Sequence, residues 1–94
     1  MMYTIKILPS FLKSVRNLSE ADKETIKGAL EKFNAFLIYG NLNKGLGLKK
    51  LIRDIYEIRA DKRIRIIIKI ESSIIHIVLA GTHQGIKEYL KRYR

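Results

Sequence analysis

The sequence predicts a single α+β domain, residues 1–94, in which helices pack on one face of a small antiparallel sheet. Two patterns carry this prediction. Apolar residues recur at helical spacing between residues 10 and 40, and from residue 55 onward they alternate with polar ones, which is the period of a strand. The length agrees, because 94 residues suffice for one modest hydrophobic core.

The first element predicted is a half-buried strand in "MMYTIKIL", where Tyr3, Ile5 and Ile7 alternate with polar residues. Pro9 should end this strand, because proline has no N–H to donate to a sheet ladder. Ser10 is then the expected N-cap of a first helix, "FLKSVRNL".

A longer second helix is predicted to follow at once and to form a hairpin with the first. Ser19 is its expected N-cap, with Asp22 three residues on as a variant of the capping box. Gly40 and Asn41 should end it. Its apolar stripe consists of Ile26, Ala29, Leu30, Phe33, Phe36 and Leu37.

The second half of the chain predicts a loop, three strands and a last helix. The segment "NLNKGLGLKKL", residues 41–51, has turn-forming residues and little periodicity, which favours a loop. Residues 55–60, 63–70 and 74–81 alternate as strands and should form an antiparallel meander. A helix over residues 82–93, with a threonine as its cap, closes the order β-α-α-β-β-β-α.

Charge is the strongest compositional signal. Nineteen Lys and Arg against nine Asp and Glu give a formal net charge of +10 on 10.9 kDa. Residues 44–94 hold 13 of the basic and five of the acidic residues, so the excess lies mainly in the second half. Such a distribution is typical of nucleic-acid-binding proteins, which gain affinity by neutralising phosphates. A lysine-rich proteome, in which lysines are ordinary surface residues, is the alternative.

Several classes are excluded by composition. The chain has no cysteine, which rules out disulfides and thiol chemistry. Its longest apolar run, "IIHIVLAG", is too short to span a bilayer, and no secretory leader is visible, so a cytoplasmic protein is expected. His76 lies mid-strand among isoleucines, where a structural role is favoured, and two histidines with scattered acids predict no metal site and no cofactor.

Strand alternation predicts a basic surface on the meander. Glu57 and Arg59 should share one face of their strand, and Arg63, Arg65 and Lys69 one face of the next, while the isoleucines turn toward the helices. The short turn between these strands would bring the arginines together. Because like charges repel each other unless an anion lies among them, the pattern indicates an anion-binding site.

These residues and their order resemble the RelE/ParE superfamily of toxins from bacterial and archaeal type II toxin–antitoxin systems. The resemblance covers nearly the whole chain. Its most specific pieces are "YEIR" followed by "RIRIII", which is similar to the central hairpin of the family, and "GTH" after the last strand, which is similar to the terminal motif of YafQ-type members. It implies a RelE-like fold and a toxin that cleaves mRNA in the ribosomal A site and so inhibits translation.

The resemblance also implies a catalytic set. RNA-cleaving members use the 2′-hydroxyl to attack the adjacent phosphate, without a metal. By this likeness, Arg65 and Arg59 would hold the phosphate, His83 would act as acid or base, and Tyr89 would match a terminal-helix tyrosine of RelE-type members. Glu57 stands where RelE has a lysine, and it is either a substitute base or an ion-pair partner of Arg59.

The expected partners are an antitoxin and RNA. The antitoxin would be a small, acidic, helical protein docking on residues 10–40 and their junction with the sheet. The mRNA and the A site of the 70S ribosome would meet basic residues outside the catalytic set, namely Lys49, Lys50, Arg53, Arg63 and Lys69. Two alternatives stay open: a ParE-like inhibitor of DNA gyrase that does no chemistry, and a decayed member that only binds an antitoxin.

Overall fold

The computed structural model describes residues 3–40 and 47–93, which form five strands and three helices. The strands lie in one sheet in the order β1-β5-β4-β3-β2. In chain order the elements are β1 (Thr4–Ile7), α1 (Pro9–Val15), α2 (Glu20–Tyr39), β2 (Leu48–Ile52), β3 (Ile55–Arg59), β4 (Ile64–Glu71), β5 (Ile74–Thr82) and α3 (His83–Tyr93).

The predicted α+β class is confirmed, together with the helical hairpin and the meander β3-β4-β5. α2 begins as its cap predicts, because the Ser19 side chain accepts a hydrogen bond from the Asp22 backbone N–H at 3.1 Å. It ends at Gly40, whose φ of 70° is the left-handed conformation that glycine adopts without steric cost. Asn41, the other expected stop, lies outside the described residues.

The predicted loop over residues 41–51 is wrong for its second part, because Leu48–Ile52 form strand β2 beside β3. Residues 41–46 lie outside the described residues. A shift of register between Lys50 and Ile52 marks a β-bulge. Because a bulge reverses which side chains face a given side of the sheet, the alternation that predicts a strand is broken here. The order β-α-α-β-β-β-α therefore lacks one strand.

The sheet is mixed rather than antiparallel. β1 runs parallel to β5, with Ile5 beside Ile75 and Ile7 beside Ile77. The other neighbouring pairs are antiparallel: β3 with β4 and β4 with β5, as the meander predicts, and β2 with β3, which the sequence analysis did not predict. The two strands of the parallel pair are the first and last in the chain, so no short turn and no local pattern links them.

The two faces of the sheet carry separate cores. One face packs under α1 and α2, around Phe33 and the buried isoleucines Ile58, Ile64, Ile66 and Ile68. The helix α3 covers the opposite face, where Ile86 packs with Ile55, Ile67 and Val78. The expectation that all helices lie on one face is therefore wrong. Ile67 shows the reason, because it shares the face of Arg65 and Lys69 and needs its own cover.

Two serines of α1 bond to the backbone of β5 beyond the point where β1 ends. The helix starts at Pro9 with Leu8 as its N-cap, so the expected capping role of Ser10 is wrong. The Ser10 hydroxyl instead donates to the Val78 carbonyl, and the Ser14 hydroxyl accepts from the Ala80 N–H at 3.0 Å. α1 thus satisfies a sheet edge that would otherwise present unpaired backbone groups.

We expect Ser14→Ala to lower the free energy of unfolding by about 1–3 kcal/mol, because it leaves the N–H of the buried Ala80 without an acceptor. Thr25→Ala is the matched control. Among the residues that the structure describes, its hydroxyl bonds only to the Ala21 carbonyl in its own helix, so that variant should stay within about 0.5 kcal/mol of wild type. Urea unfolding curves would measure both, and equal midpoints would contradict a role for Ser14 at the edge.

Candidate active site

A cleft opens at one end of the sheet, on the face that carries α3. Its volume is about 390 Å³. It is lined by Gly47, Leu48, Lys49, Glu57, Arg59, Arg65 and His83. Five of these, all but Gly47 and Leu48, are site residues that the sequence predicts. Three cationic side chains and one carboxylate therefore surround a space large enough for a phosphate.

Strand register brings these side chains together. Arg59 and Arg65 are direct partners across β3 and β4, so their side chains leave the same face of the sheet. On the other side of β4, Arg65 pairs with Gly81 of β5, two residues before His83. The Thr82 hydroxyl accepts the Gly85 N–H at 3.3 Å and so begins α3, which places His83 in the first turn of that helix.

The Arg65 guanidinium is held from two sides. Its Nη1 donates to the Asp61 carbonyl at 2.6 Å and to the Lys62 carbonyl at 3.3 Å, both in the turn between β3 and β4. Its Nε lies 3.8 Å from Oε1 of Glu57, and both side chains are only about one-seventh exposed (13% and 14%). The third guanidinium nitrogen, Nη2, has no partner among the described residues, and it is free to bind a phosphate oxygen.

Glu57 therefore pairs with Arg65. Of the two interpretations left open by the sequence, the ion pair is the one that the geometry supports, with Arg65 in the place expected for Arg59. The neighbouring Lys49 is the register partner of Glu57 on β2, which adds a second cation beside the carboxylate. Glu57 thus offsets part of the repulsion between Arg59 and Arg65 while no anion is bound.

Asp61 closes the turn that holds Arg65. Its Oδ1 accepts the Ile64 N–H at 2.7 Å and the Arg63 N–H at 2.8 Å. These two backbone bonds, that of Ile64 first, hold the pKa of the Asp61 carboxyl below its ordinary value of 3.8. The carboxylate therefore orients the turn whose carbonyl oxygens fix the Arg65 fork.

A carboxyl with a lowered pKa in the folded state stabilises the fold fully above its unfolded pKa, and this contribution disappears as pH falls through the lower, folded value. We therefore expect Asp61→Asn to be less stable than wild type at neutral pH. The difference should vanish on acidification below 3.8 and further through the lowered value. Thermal melts over a pH series would measure it, with Glu24→Gln on the exposed face of α2 as the control. A pH-independent difference would contradict this role of Asp61.

Two basic residues of the predicted RNA-binding set lie near the cleft on β2, but only one lines it. Lys49 lines the cleft, whereas Lys50 pairs with Tyr56 and is exposed on the face that carries α1 and α2. Arg63 was expected on the face of Arg65, but it lies in the turn before β4 begins, where alternation does not apply. Its Nη2 binds Oδ1 of Asp22 on α2 at 2.7 Å.

The other two residues of the predicted RNA-binding set, Arg53 and Lys69, lie at the far end of the sheet from the cleft. Arg53 is exposed in the turn between β2 and β3, with a φ of 47°. The Lys69 ammonium lies 3.4 Å from Glu71 and 4.0 Å from Asp54, and the Glu71 carboxylate raises the Lys69 pKa most. Lys69 is thus already neutralised within the chain. Glu71 also lies 3.7 Å from Nε2 of His76, which agrees with a structural histidine.

Tyr89 packs in the core under α3 and does not line the cleft. Its ring stacks on Tyr93 with centroids 6.0 Å apart, and burial raises the pKa of its phenol. The spacing of four residues on one helix is the pattern of such a packing pair.

Sequence reasoning missed Gly47. Its φ is 62°, and a Cβ at this position would lie 3.0 Å from the Cβ of Arg59. The Gly47 carbonyl also accepts the Arg59 N–H at 3.2 Å. A glycine is therefore needed for the chain to pass this closely over Arg59. The sequence signal for it is the pair of glycines on either side of Leu46, which by itself indicates only a loop.

Among the described residues, no group of three or more His, Cys, Asp or Glu side chains is placed to hold a metal ion. None of the helices in the same ranges has the length and apolar character needed to cross a membrane.

Known structures share this architecture over almost the whole chain. YafQ from E. coli strain BL21(DE3) superposes with a TM-score of 0.66 at 14% identity, covering 90% of this chain and 98% of YafQ. The chain has the fold of YafQ, RelE and YoeB. A chain of the RelB–RelE antitoxin–toxin complex from Methanococcus jannaschii gives 0.69 at 21% identity, with 89% and 96% covered. YoeB from Staphylococcus aureus, solved as a dimer, gives 0.65 at 19% identity, with 88% and 99% covered.

The RelE-like fold that the resemblance implies is thus confirmed. No family model matches the sequence, and no curated protein does. The RelE-like architecture is therefore carried here by a sequence that is only 14% to 21% identical to those of the three structures.

Proposed function

We propose that this protein is the toxin of a type II toxin–antitoxin system and cleaves mRNA on the ribosome. The observation that carries the proposal is the cleft, in which Arg59, Arg65, Lys49 and His83 surround one phosphate-sized space. The RelE-like fold supports it, because the matched structures include RelB–RelE and DinJ–YafQ toxin–antitoxin complexes. The partners would be a cognate antitoxin, mRNA and the 70S ribosome A site.

The cleft suits a transesterification that needs no cofactor. In this step the bond between the 2′-oxygen and phosphorus forms, and the bond between phosphorus and the 5′-oxygen breaks. One proton leaves the 2′-hydroxyl and one reaches the departing 5′-oxygen. Arg65 and Arg59 would stabilise the charge that builds on the phosphate oxygens. His83 would exchange a proton with the reacting oxygens, because histidine changes its charge near neutral pH.

The gyrase alternative would use the same fold without chemistry. It has no need of a histidine beside two arginines, whereas the cleavage reaction needs both a proton carrier and cations. The cleft therefore favours the ribonuclease.

Two assays separate the candidates. Purified protein added to translating ribosomes should produce new mRNA 5′ ends at the A-site codon, detected by primer extension, and should leave the same mRNA intact without ribosomes. Supercoiling by DNA gyrase should be unaffected at the same concentration. Inhibited gyrase with intact mRNA would overturn the proposal in favour of the ParE-like function, and no effect in either assay would indicate a member that only binds an antitoxin.

A further inference from the structure

Cleavage of RNA by its own 2′-hydroxyl needs proton transfers on two sides of the phosphate. One proton leaves the attacking 2′-oxygen, and another reaches the departing 5′-oxygen. In an in-line displacement these two oxygens lie on opposite sides of phosphorus. A complete site therefore holds one proton-transferring group on each side, and His83 can occupy only one of them.

The order of the strands places Lys49 and His83 on opposite walls of the cleft. Lys49 lies on the edge strand β2, whereas His83 directly follows β5, with β3 and β4 in between. At a spacing of about 4.8 Å between neighbouring strands, the backbones of the two walls are about 14 Å apart. Arg59 and Arg65 lie side by side on the two middle strands. A phosphate held by these arginines thus has Lys49 on one side and His83 on the other.

The other ionisable groups of the cleft are less suited to the second proton transfer. Glu57 lies on β3 between the two walls, where its carboxylate is 3.8 Å from Nε of Arg65. Arg59 and Arg65 can stabilise negative charge, but a guanidinium does not release its proton in a protein. Lysine carries a proton at neutral pH and can release it, which is the property that a general acid needs.

The Lys49 ammonium is available for this role. Its side chain shares a face of the sheet with Glu57, its register partner, and it is exposed. Within residues 3–40 and 47–93, Lys49 makes no ion pair. The next residue, Lys50, is exposed on the other face, so only the first of the two adjacent lysines lines the cleft.

We infer that Lys49 is the general acid of the cleavage and His83 the general base, an assignment that rests on the proposed function. The charge states fix the direction, because an ammonium has no lone pair to accept a proton, whereas a neutral imidazole has one. His83 accepts the proton of the 2′-hydroxyl as the 2′-oxygen bonds to phosphorus. Lys49 donates a proton to the 5′-oxygen as the bond between that oxygen and phosphorus breaks.

The products of this step are a 2′,3′-cyclic phosphate and a 5′-hydroxyl. They leave behind a protonated His83 and a neutral Lys49, and proton exchange with water restores both side chains. Protons and charge balance without a metal or another co-reactant.

The test replaces the 5′-oxygen at the cleavage site of the mRNA by sulfur. Because a thiolate departs without being protonated, the sulfur linkage needs the general base but not the general acid. Lys49→Arg keeps the positive charge and removes the proton donor. In single-turnover reactions on ribosomes, we expect this variant to cleave the oxygen linkage about 10²-fold more slowly than wild type and the sulfur linkage at nearly the wild-type rate. His83→Gln should be slow on both linkages.

Lys6→Arg is the matched control, because Lys6 lies on β1 at the opposite edge of the sheet and does not line the cleft. It should cleave both linkages as wild type does. Full activity of Lys49→Arg on the oxygen linkage, or an equal loss on both linkages, would overturn the role of Lys49 as an acid. Rescue of His83→Gln by sulfur would overturn it too, because His83 would then be the acid. Wild type that cleaves neither linkage would refute the proposed function itself, whereas each of the other outcomes requires an active wild type.

Discussion

Arg65→Ala is expected to abolish growth arrest on expression and to lower mRNA cleavage on the ribosome by about 10²–10³-fold. The Arg65 fork is fixed by the turn carbonyls and by Glu57, so its remaining N–H groups are positioned before a phosphate arrives. Such preorganised donors stabilise the negative charge that develops on the phosphate oxygens. Primer extension on translating ribosomes measures the loss, and the melting temperature shows whether the variant remains folded.

Arg63→Ala is the matched control for this experiment. It removes the same type of side chain two positions away, but Arg63 binds Asp22 of α2 and does not line the cleft. Cleavage by Arg63→Ala should therefore be close to wild type. If Arg65→Ala is as toxic as wild type, or if both variants lose the same activity, the cleft is not the site of phosphate binding.

The second large effect is expected for His83→Gln, which should reduce cleavage by about 10²-fold or more, the usual size of a general acid–base contribution. Glutamine keeps a polar side chain of similar reach but cannot take up and release a proton. Ribosome binding should be nearly unchanged, because the arginines of the cleft remain. Single-turnover cleavage rates and sedimentation with ribosomes would separate the two effects.

His76→Gln tests whether any histidine would give this result. His76 lies at the other end of the sheet beside Glu71, so its replacement should leave the cleavage rate unchanged. Equal rates for wild type and His83→Gln would make His83 a residue of the turn alone, and the gyrase alternative would then be the better explanation.

The helices and strands whose apolar residues recur at regular spacing were predictable from the sequence. Strand β2, whose spacing is irregular, was not. The meander follows from three apolar-rich runs between residues 55 and 81, the first two of which place charged residues at alternate positions, with turn-forming residues between the runs. β2 was missed because its bulge breaks that alternation between Lys50 and Ile52. The position of α3 on the second face was missed as well, although an isoleucine at position 67 within the charged face already indicated a need for cover.

Local alternation by itself determined which side chains share a face, and so it placed Arg59, Arg65 and Glu57 together. A pattern along one strand cannot say what lies beside that strand. Only the tertiary structure decided that Glu57 pairs with Arg65, that Arg63 turns to α2, and that Lys69 is neutralised at the far end. The physical reason is that ion pairs depend on distances between segments far apart in the chain, and the order of strands across the sheet sets those distances.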